Sequence, residues 1–298
     1  MVIKPRYIAA IGNFDGVHRG HQHLMSETIA FAQSHGAAAA AVTFDPHPRR
    51  FFQPEASPFL LTSSDIKKEL LCAHGAEDVF TLTFDAALAA HAPEEFMRGV
   101  LKDKLGLAGV VAGADFRFGK GRAGGIEALQ TIGEEAGLKV RIAEVVADGP
   151  DTEKFSSSAV RSAISDGDMK EAAHLLGRAW TVRGTVEEGQ KLGRTLGFPT
   201  ANFTLGDLVE PRRGVYATRA VIDHQSYPAV SNFGRRPTVG ADAPLLETHL
   251  IDFDRNLYGQ RIDIEFVAFL RDERKFEGLD ALKTQIATDC ERARSVLA

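Results

Sequence analysis

The sequence predicts an α/β domain built on a parallel sheet, followed by an antiparallel β barrel or sandwich that closes with a helix. Three observations carry this expectation. Strand-like and helix-like runs trade places through the first half of the chain. From about residue 178 the helical runs give way to short alternating segments separated by Gly, Pro and Asp. The last stretch returns to helical spacing.

Taken in order, "YIAAIG" is an apolar run suited to a buried strand, and "HRGHQHLMSETIAFAQSHG" a helix ended by Gly36. "AAAAVTF" is the next strand. "SSDIKKELLCAHGA" is a helix with a Ser/Asp start, and "DVFTLTF" a strand. "PEEFMRGVLKDKLG" places Pro93 just inside a helix start, where the missing N–H costs nothing. "GVVAG", "GIEALQTIGEEAGL" and "KVRIAEVV" complete the alternation, which is the mark of βαβ units. The link "SDGDMKEAAHLLGRAW" holds a short helix ending near Gly177, which sets domains at 1–178 and 179–298. In the second half "WTVRGTV", "GVYATRAVI" and "YPAVSNFG" are strand candidates. In "RIDIEFVAFL", Ile262, Ile264, Phe266, Ala268 and Leu270 are expected on one face. Leu279, Leu282, Ile286, Cys290, Ala293 and Leu297 recur as a helical stripe, which makes Cys290 a core residue.

The bulk composition excludes several classes. The chain has 298 residues, 44% hydrophobic and 25% charged, with a net charge of −5. That balance opposes a polyanion-binding surface, so no nucleic-acid partner is expected. Two cysteines, Cys72 and Cys290, far apart and with no zinc spacing, fit a reducing compartment. No signal-peptide pattern and no run of ~18 apolar residues is present. A cytoplasmic, non-membrane protein is therefore expected. Oligomeric state stays open, a homo-oligomer included.

Four stretches carry chemistry. In "IGNFDGVHRGHQHL", a strand leads through a Gly-rich turn into a helix, whose free N–H groups suit a phosphate. Gly12 and Gly16 permit positive φ or close backbone approach. His18 and His21 share a face of the first turn and can donate hydrogen bonds to phosphate oxygens. Gly20 between them removes a side chain that would crowd a nucleotide. A solvated His pair, or half of a metal site, is the bland alternative. His23 and His35 lack this context. In "KFSSSAVRSAI", the serines by themselves suit a helix N-cap. "GKGRAG" matches GxGxxG at Gly119, Gly121 and Gly124, but "DFRF" separates it from its strand and position 139 is Lys. It is therefore not expected to be a dinucleotide-binding turn. In "GQKLGRTLGFPTANF", Thr200 and Asn202 lie two apart on an extended segment and present oxygens to one side, which suits Mg²⁺. A Gly/Pro loop with satisfied turn hydrogen bonds is the alternative.

"GNFDGVHRGH" resembles the HxGH signature of the nucleotidylyltransferase superfamily. In its longer GxFDGxHxGH form it is similar to the bacterial bifunctional riboflavin kinase/FAD synthetase family. "TFDPHPRRFF", "GADFRFGKGRAG" and "KFSSSAVRSAI" resemble further segments of that family's first domain, with Ser158 where a threonine is usual. "GRTLGFPTANF", "GVYAT", "SNFGRRPTVG", "LETHLIDFDRNLYG" and "FLRDERKF" resemble its second, with Ala179 where proline is common. The resemblance implies a Rossmann-like nucleotidyltransferase domain, then a Greek-key riboflavin kinase-like barrel with a C-terminal helix. It implies that riboflavin is phosphorylated to FMN by ATP with Mg²⁺, and FMN adenylylated to FAD. Flavins would be substrate and product.

By the same resemblance, ATP would be held by Gly12, Asn13, Phe14, Asp15, Ser157 and Ser158 in the first domain, and by Gly193, Gly197, Thr200 and Asn202 in the second. His18, His21, Arg161 and Glu247 would be catalytic, Glu247 as general base. Asp115, Phe116, Gly214 and Tyr216 would touch flavin. For Phe116 and Phe118 a core position is the alternative, and for Glu247 an exposed strand carboxylate. A transferase with one live site and a non-catalytic flavin-binding regulator are the competing functions. The intact polar motifs argue against both.

Overall fold

The computed structural model describes residues 6–144, 155–187, 198–235 and 244–298. They form two compact units, Met1–Ala56 with Ser64–Ser156, and Ser57–Ser63 with Ser157–Ala298.

The first unit runs β1 (Tyr7–Ile11), α1 (Arg19–Ser34), β2 (Ala38–Asp45), α2 (Pro48–Phe52), α3 (Ser64–Ala73), β3 (Asp78–Thr83), α4 (Ala86–Ala90), α5 (Pro93–Glu95), β4 (Gly109–Gly113), α6 (Ile126–Ala136) and β5 (Lys139–Ala143). α5 continues as a π-helical segment, Phe96–Lys104. The five strands are parallel in the order β3-β2-β1-β4-β5. This is the Rossmann-like order, in which the crevice at the carboxyl ends of the strands takes the ligand. Alternation along each strand splits the core in two. Ile8, Ala10, Ala39 and Ala41 pack with Leu24, Met25 and Leu71. Ala9, Ile11, Ala40 and Val42 pack with Met97, Leu101 and Leu129. Both faces are covered, which is why these strands read as continuous apolar runs.

The GxGxxG stretch is a turn, as its context implied. Phe118 and Gly124 exchange backbone hydrogen bonds of 3.1 and 2.9 Å, and α6 begins only at Ile126. Gly119 (φ 73°) and Gly121 (φ 62°) supply the left-handed conformations the turn needs.

The second unit contains α7 (Ser157–Asp166), α8 (Met169–Leu176), β6 (Trp180–Thr185), β7 (Ala201–Thr204), β8 (Gly214–Ile222), β9 (Gln225–Arg235), β10 (Pro244–Leu250), β11 (Arg261–Arg271) and α9 (Leu279–Leu297). The antiparallel order is β6-β11-β8-β9-β10-β7. Within it β11 returns beside β8 after the β8-β9-β10 meander, which is the Greek key. The Glu187 N–H donates to the Asn202 carbonyl at 3.0 Å, so the two sheet edges meet and the barrel nearly closes. Trp180, Tyr216, Phe203, Phe233 and Phe266 fill it. Three buried hydroxyls satisfy one another there. Thr218 and Ser231 are 2.8 Å apart, and Ser231 and Thr248 2.7 Å.

Three features of the second unit go beyond local pattern. First, α7 and α8 pack with the barrel, α8 lying on β11 and β6. Second, the β11 alternation does not persist. Ile262, Ile264 and Phe266 face the interior, but register shifts at Phe266/Ala268 and Phe269/Arg271 turn Ala268 and Leu270 to the opposite face. Phe269 takes the inward place beside Tyr216, at 5.2 Å between ring centroids. A bulge inserts a residue and inverts every later side chain. Third, α9 covers that outer face from Leu282 onward, while Leu279 stays 56% exposed. The helix is fixed by Arg271, whose guanidinium donates to the buried Asp289 carboxylate at 2.7 Å. Cys290 lies in this interface, and burial pushes its thiol pKa up to about 11.

Candidate active sites

In the first unit β1 ends in a backbone under strain. Phe14 (φ 51°) and Val17 (φ 42°) are non-glycine residues in the left-handed region, with Gly16 (φ 85°) between them. Each non-glycine residue there costs roughly 1–3 kcal/mol, and such strain gathers at functional sites. Phe14 and Val17 are fully buried, and their packing offsets the cost. The turn delivers His18 to the N-cap of α1. Its ring stacks on His21 with centroids 3.7 Å apart and planes 22° from parallel. The Phe14 ring lies beside His21 at 5.2 Å. His18 is 6% exposed, and the buried Nδ1 of His21 has no hydrogen-bond partner among the described residues.

Gly20 is also needed by the protein's own packing. A Cβ there would sit 3.1 Å from the His18 ring and 3.3 Å from the Phe155 carbonyl. The missing side chain makes room for the protein's own imidazole. Asn13 is exposed, and its carbonyl accepts from the Thr43 hydroxyl at 3.1 Å and from the Lys67 ammonium at 3.4 Å. Asp15 is buried, and the Gly12 N–H donates to the Val42 carbonyl. Asp115 is exposed. Phe116 is half-buried and stacks on the buried Phe118 at 5.7 Å, so Phe118 is a core residue.

Ser157 and Ser158 form the start of α7 in the second unit. Arg161, one turn on, donates from Nε to the Phe59 carbonyl at 2.7 Å and lies over the Phe59 ring.

On the barrel, strand register assembles a row. Glu247 on β10 is paired directly with Asn202 on β7 and with Asn232 on β9. Directly opposed residues project to one face with Cβ atoms about 5 Å apart. Glu247 is half-buried and Asn202 is 4% exposed. The Asn202 amide N–H donates to the Thr200 carbonyl at 3.4 Å. His249, on the same face as Glu247, donates from Nδ1 to the Pro199 carbonyl at 2.9 Å, which ties the segment before Thr200 to β10. Beside Thr200 lies a cavity of about 60 Å³, lined by Val186, Pro199, Phe253, Leu257 and Tyr258 among others. Gly193 and Gly197 lie outside the described residues.

Tyr216 and Gly214, the other two expected flavin contacts, lie on β8. Tyr216 is fully buried, donates its hydroxyl to the Arg212 carbonyl and packs on Phe266 and Phe269. At Gly214 a Cβ would collide with the Arg271 carbonyl, so the glycine serves strand contact.

The family model for FAD synthetase matches residues 2–159, and that for riboflavin kinase matches residues 176–297. The chain belongs to the bifunctional riboflavin kinase/FMN adenylyltransferase family. The family member of that name from Pseudomonas fluorescens is 40% identical over 98% of this chain and 93% of its own length. The one from Escherichia coli K12 is 37% identical over 95% and 90%, and the one from Bacillus subtilis 34% over 96% and 91%. A crystal structure described as a macrolide-efflux protein from Streptococcus pneumoniae aligns with a TM-score of 0.85 at 30% identity, covering 98% of this chain and 95% of that one. Among the described residues no helix is long and apolar enough to cross a membrane.

Three residues beside these candidate sites had no individual signal in the sequence. Lys67 reads as one more charge in a helical run, and Thr43 and Asn232 only as parts of matched segments. Their positions emerge only from strand pairing and helix packing.

Burial holds the His21 pKa well below the ordinary imidazole range, with the charges of His18 and Lys67 acting in the same direction. Burial also lowers His249. In the unfolded chain these histidines protonate near pH ~6.5, while the folded protein resists. The unfolded state then binds more protons as the pH falls through that value, so stability declines with falling pH. The melting temperature is expected to fall between pH 7 and 5, and less steeply in His21→Asn. Scanning fluorimetry of both proteins across that range checks this, and parallel slopes would assign the dependence to other groups.

Proposed function

We propose that residues 179–298 phosphorylate riboflavin and residues 1–178 convert the resulting FMN to FAD, each using ATP. The observation that carries this is one chain holding both a stacked pair of sheltered imidazoles at the end of β1 and a carboxylate set directly opposite Asn202.

In adenylyl transfer an FMN phosphate oxygen attacks the α-phosphorus of ATP. A new P–O bond forms, the bond to the bridging oxygen breaks, and pyrophosphate leaves. His18 and His21 donate hydrogen bonds to the phosphate oxygens as charge builds on them. Gly12, Asn13, Phe14 and Asp15 shape the turn that receives the nucleotide. Ser157, Ser158 and Arg161 hold the departing β- and γ-phosphates, a task that suits hydroxyls and a guanidinium fork. Asp115 and Phe116 contact the flavin from the loop after β4.

In the kinase reaction Glu247 takes the proton from the riboflavin ribityl hydroxyl as that oxygen attacks the γ-phosphorus, the bond to the β,γ-bridging oxygen breaks and ADP leaves. Thr200 and Asn202 fit Mg²⁺, because both present neutral oxygens and this ion keeps waters and phosphates as its other ligands. Bound there with ATP, Mg²⁺ neutralises charge on the phosphates. Gly193 and Gly197 let backbone approach them. A cytoplasmic location and small-molecule partners fit the acidic balance and the cysteine usage.

The test is incubation with riboflavin, ATP and Mg²⁺, with chromatography over time. FMN is expected first and FAD after it, with pyrophosphate released in step with FAD. Supplied FMN that yields no FAD would remove the first domain from this scheme.

A further inference from the structure

Lys67, on α3, is 7% exposed. Its ammonium donates to two uncharged acceptors, the Phe44 carbonyl at 3.2 Å and the Asn13 carbonyl at 3.4 Å. These carbonyls lie at the ends of β2 and β1, side by side in the sheet. Burying an ammonium is costly, and a residue that served packing alone would be better apolar. The charges of Asp15 and Asp45 favour the ammonium here, and its two hydrogen bonds set what it holds. The Asn13 carbonyl, which also accepts from the Thr43 hydroxyl, opens the turn whose left-handed Phe14, Gly16 and Val17 set His18 on His21.

We propose that Lys67 is a positioning residue for adenylyl transfer: its ammonium clamps the start of the β1–α1 turn to the end of β2 and so holds the imidazole pair in its working geometry. This rests on the assignment of His18 and His21 to FAD formation. A displacement of about 1 Å in such a site is enough to cost up to 100-fold in rate.

The test is Lys67→Met in the full chain, with both activities measured on one preparation. The kcat for FAD formation from FMN and ATP is expected to fall about 10- to 100-fold, with both KM values within about threefold of the parent, the pattern of a lost transition-state geometry. The melting temperature is expected to fall, because the change removes the positive charge that faces the buried Asp15 carboxylate. Riboflavin phosphorylation is expected to continue at the parent rate. Thr43→Val removes the other donor to the Asn13 carbonyl and should act in the same direction, less strongly. A Lys67→Met protein that makes FAD at the parent rate overturns the proposal, as does an equal fall in both activities. Should Lys67→Met not fold, Thr43→Val at the parent rate overturns it. His18→Ala separates the two levels. If it spares FAD formation, the site assignment has failed. If it stops FAD formation while Lys67→Met does not, only the role of Lys67 has failed.

Discussion

His18→Ala is expected to lower FAD formation from FMN and ATP by about 10²- to 10³-fold, the usual cost of one preorganised donor to a developing charge, while FMN formation from riboflavin continues. The expectation rests on placement. His18 is sheltered from solvent, caps α1 and stacks on His21, so a phosphate bound there would meet its polar atoms in a site poor in competing water. The side chain makes no capping hydrogen bond to α1, so the helix start should survive the change. A retained melting temperature would confirm that the loss is chemical. Pyrophosphate release from supplied FMN reads the first activity, and ADP formation with riboflavin reads the second. If a folded His18→Ala protein lost both activities, the two reactions would have to share one site.

Glu247→Gln is expected to do the converse. FMN formation should fall by about 10²- to 10⁴-fold, the range for loss of a general base, and FAD formation from supplied FMN should persist. The amide keeps the shape of the carboxylate but cannot take the proton. Its strand should hold, because Leu246 and Thr248 on the other face anchor β10 in the barrel. Initial rates of flavin phosphorylation at saturating ATP measure the effect. Parent-level activity would show that Glu247 accepts no proton in the rate-limiting step.

The opening motif was legible because its elements are neighbours in sequence. A strand, a glycine turn and two imidazoles three apart imply a phosphate-facing helix start without any long-range information. The same holds for the Thr200–Asn202 pair on an extended segment. What the motif did not convey was the support beneath it. Lys67 and Thr43 come from other elements and meet at Asn13 only once β1, β2 and α3 are packed. The use of Gly20 was likewise hidden, because the atoms that need its space belong to His18 and to the Phe155 backbone. The ring packing of Tyr216 was hidden as well, because Phe266 and Phe269 come from another strand.

Local pattern was enough for the parallel-then-antiparallel plan, the glycine-rich turn after β1 and the family resemblance, since each depends on residues close together along the chain. Tertiary structure alone decided which distant residues meet: Glu247 against Asn202, Lys67 under the strained turn, and α7 and α8 against the barrel. The physical reason is register. Strand pairing alternates faces with every residue, and the two register shifts in β11 take Ala268 and Leu270 off the face that Ile262, Ile264 and Phe266 share.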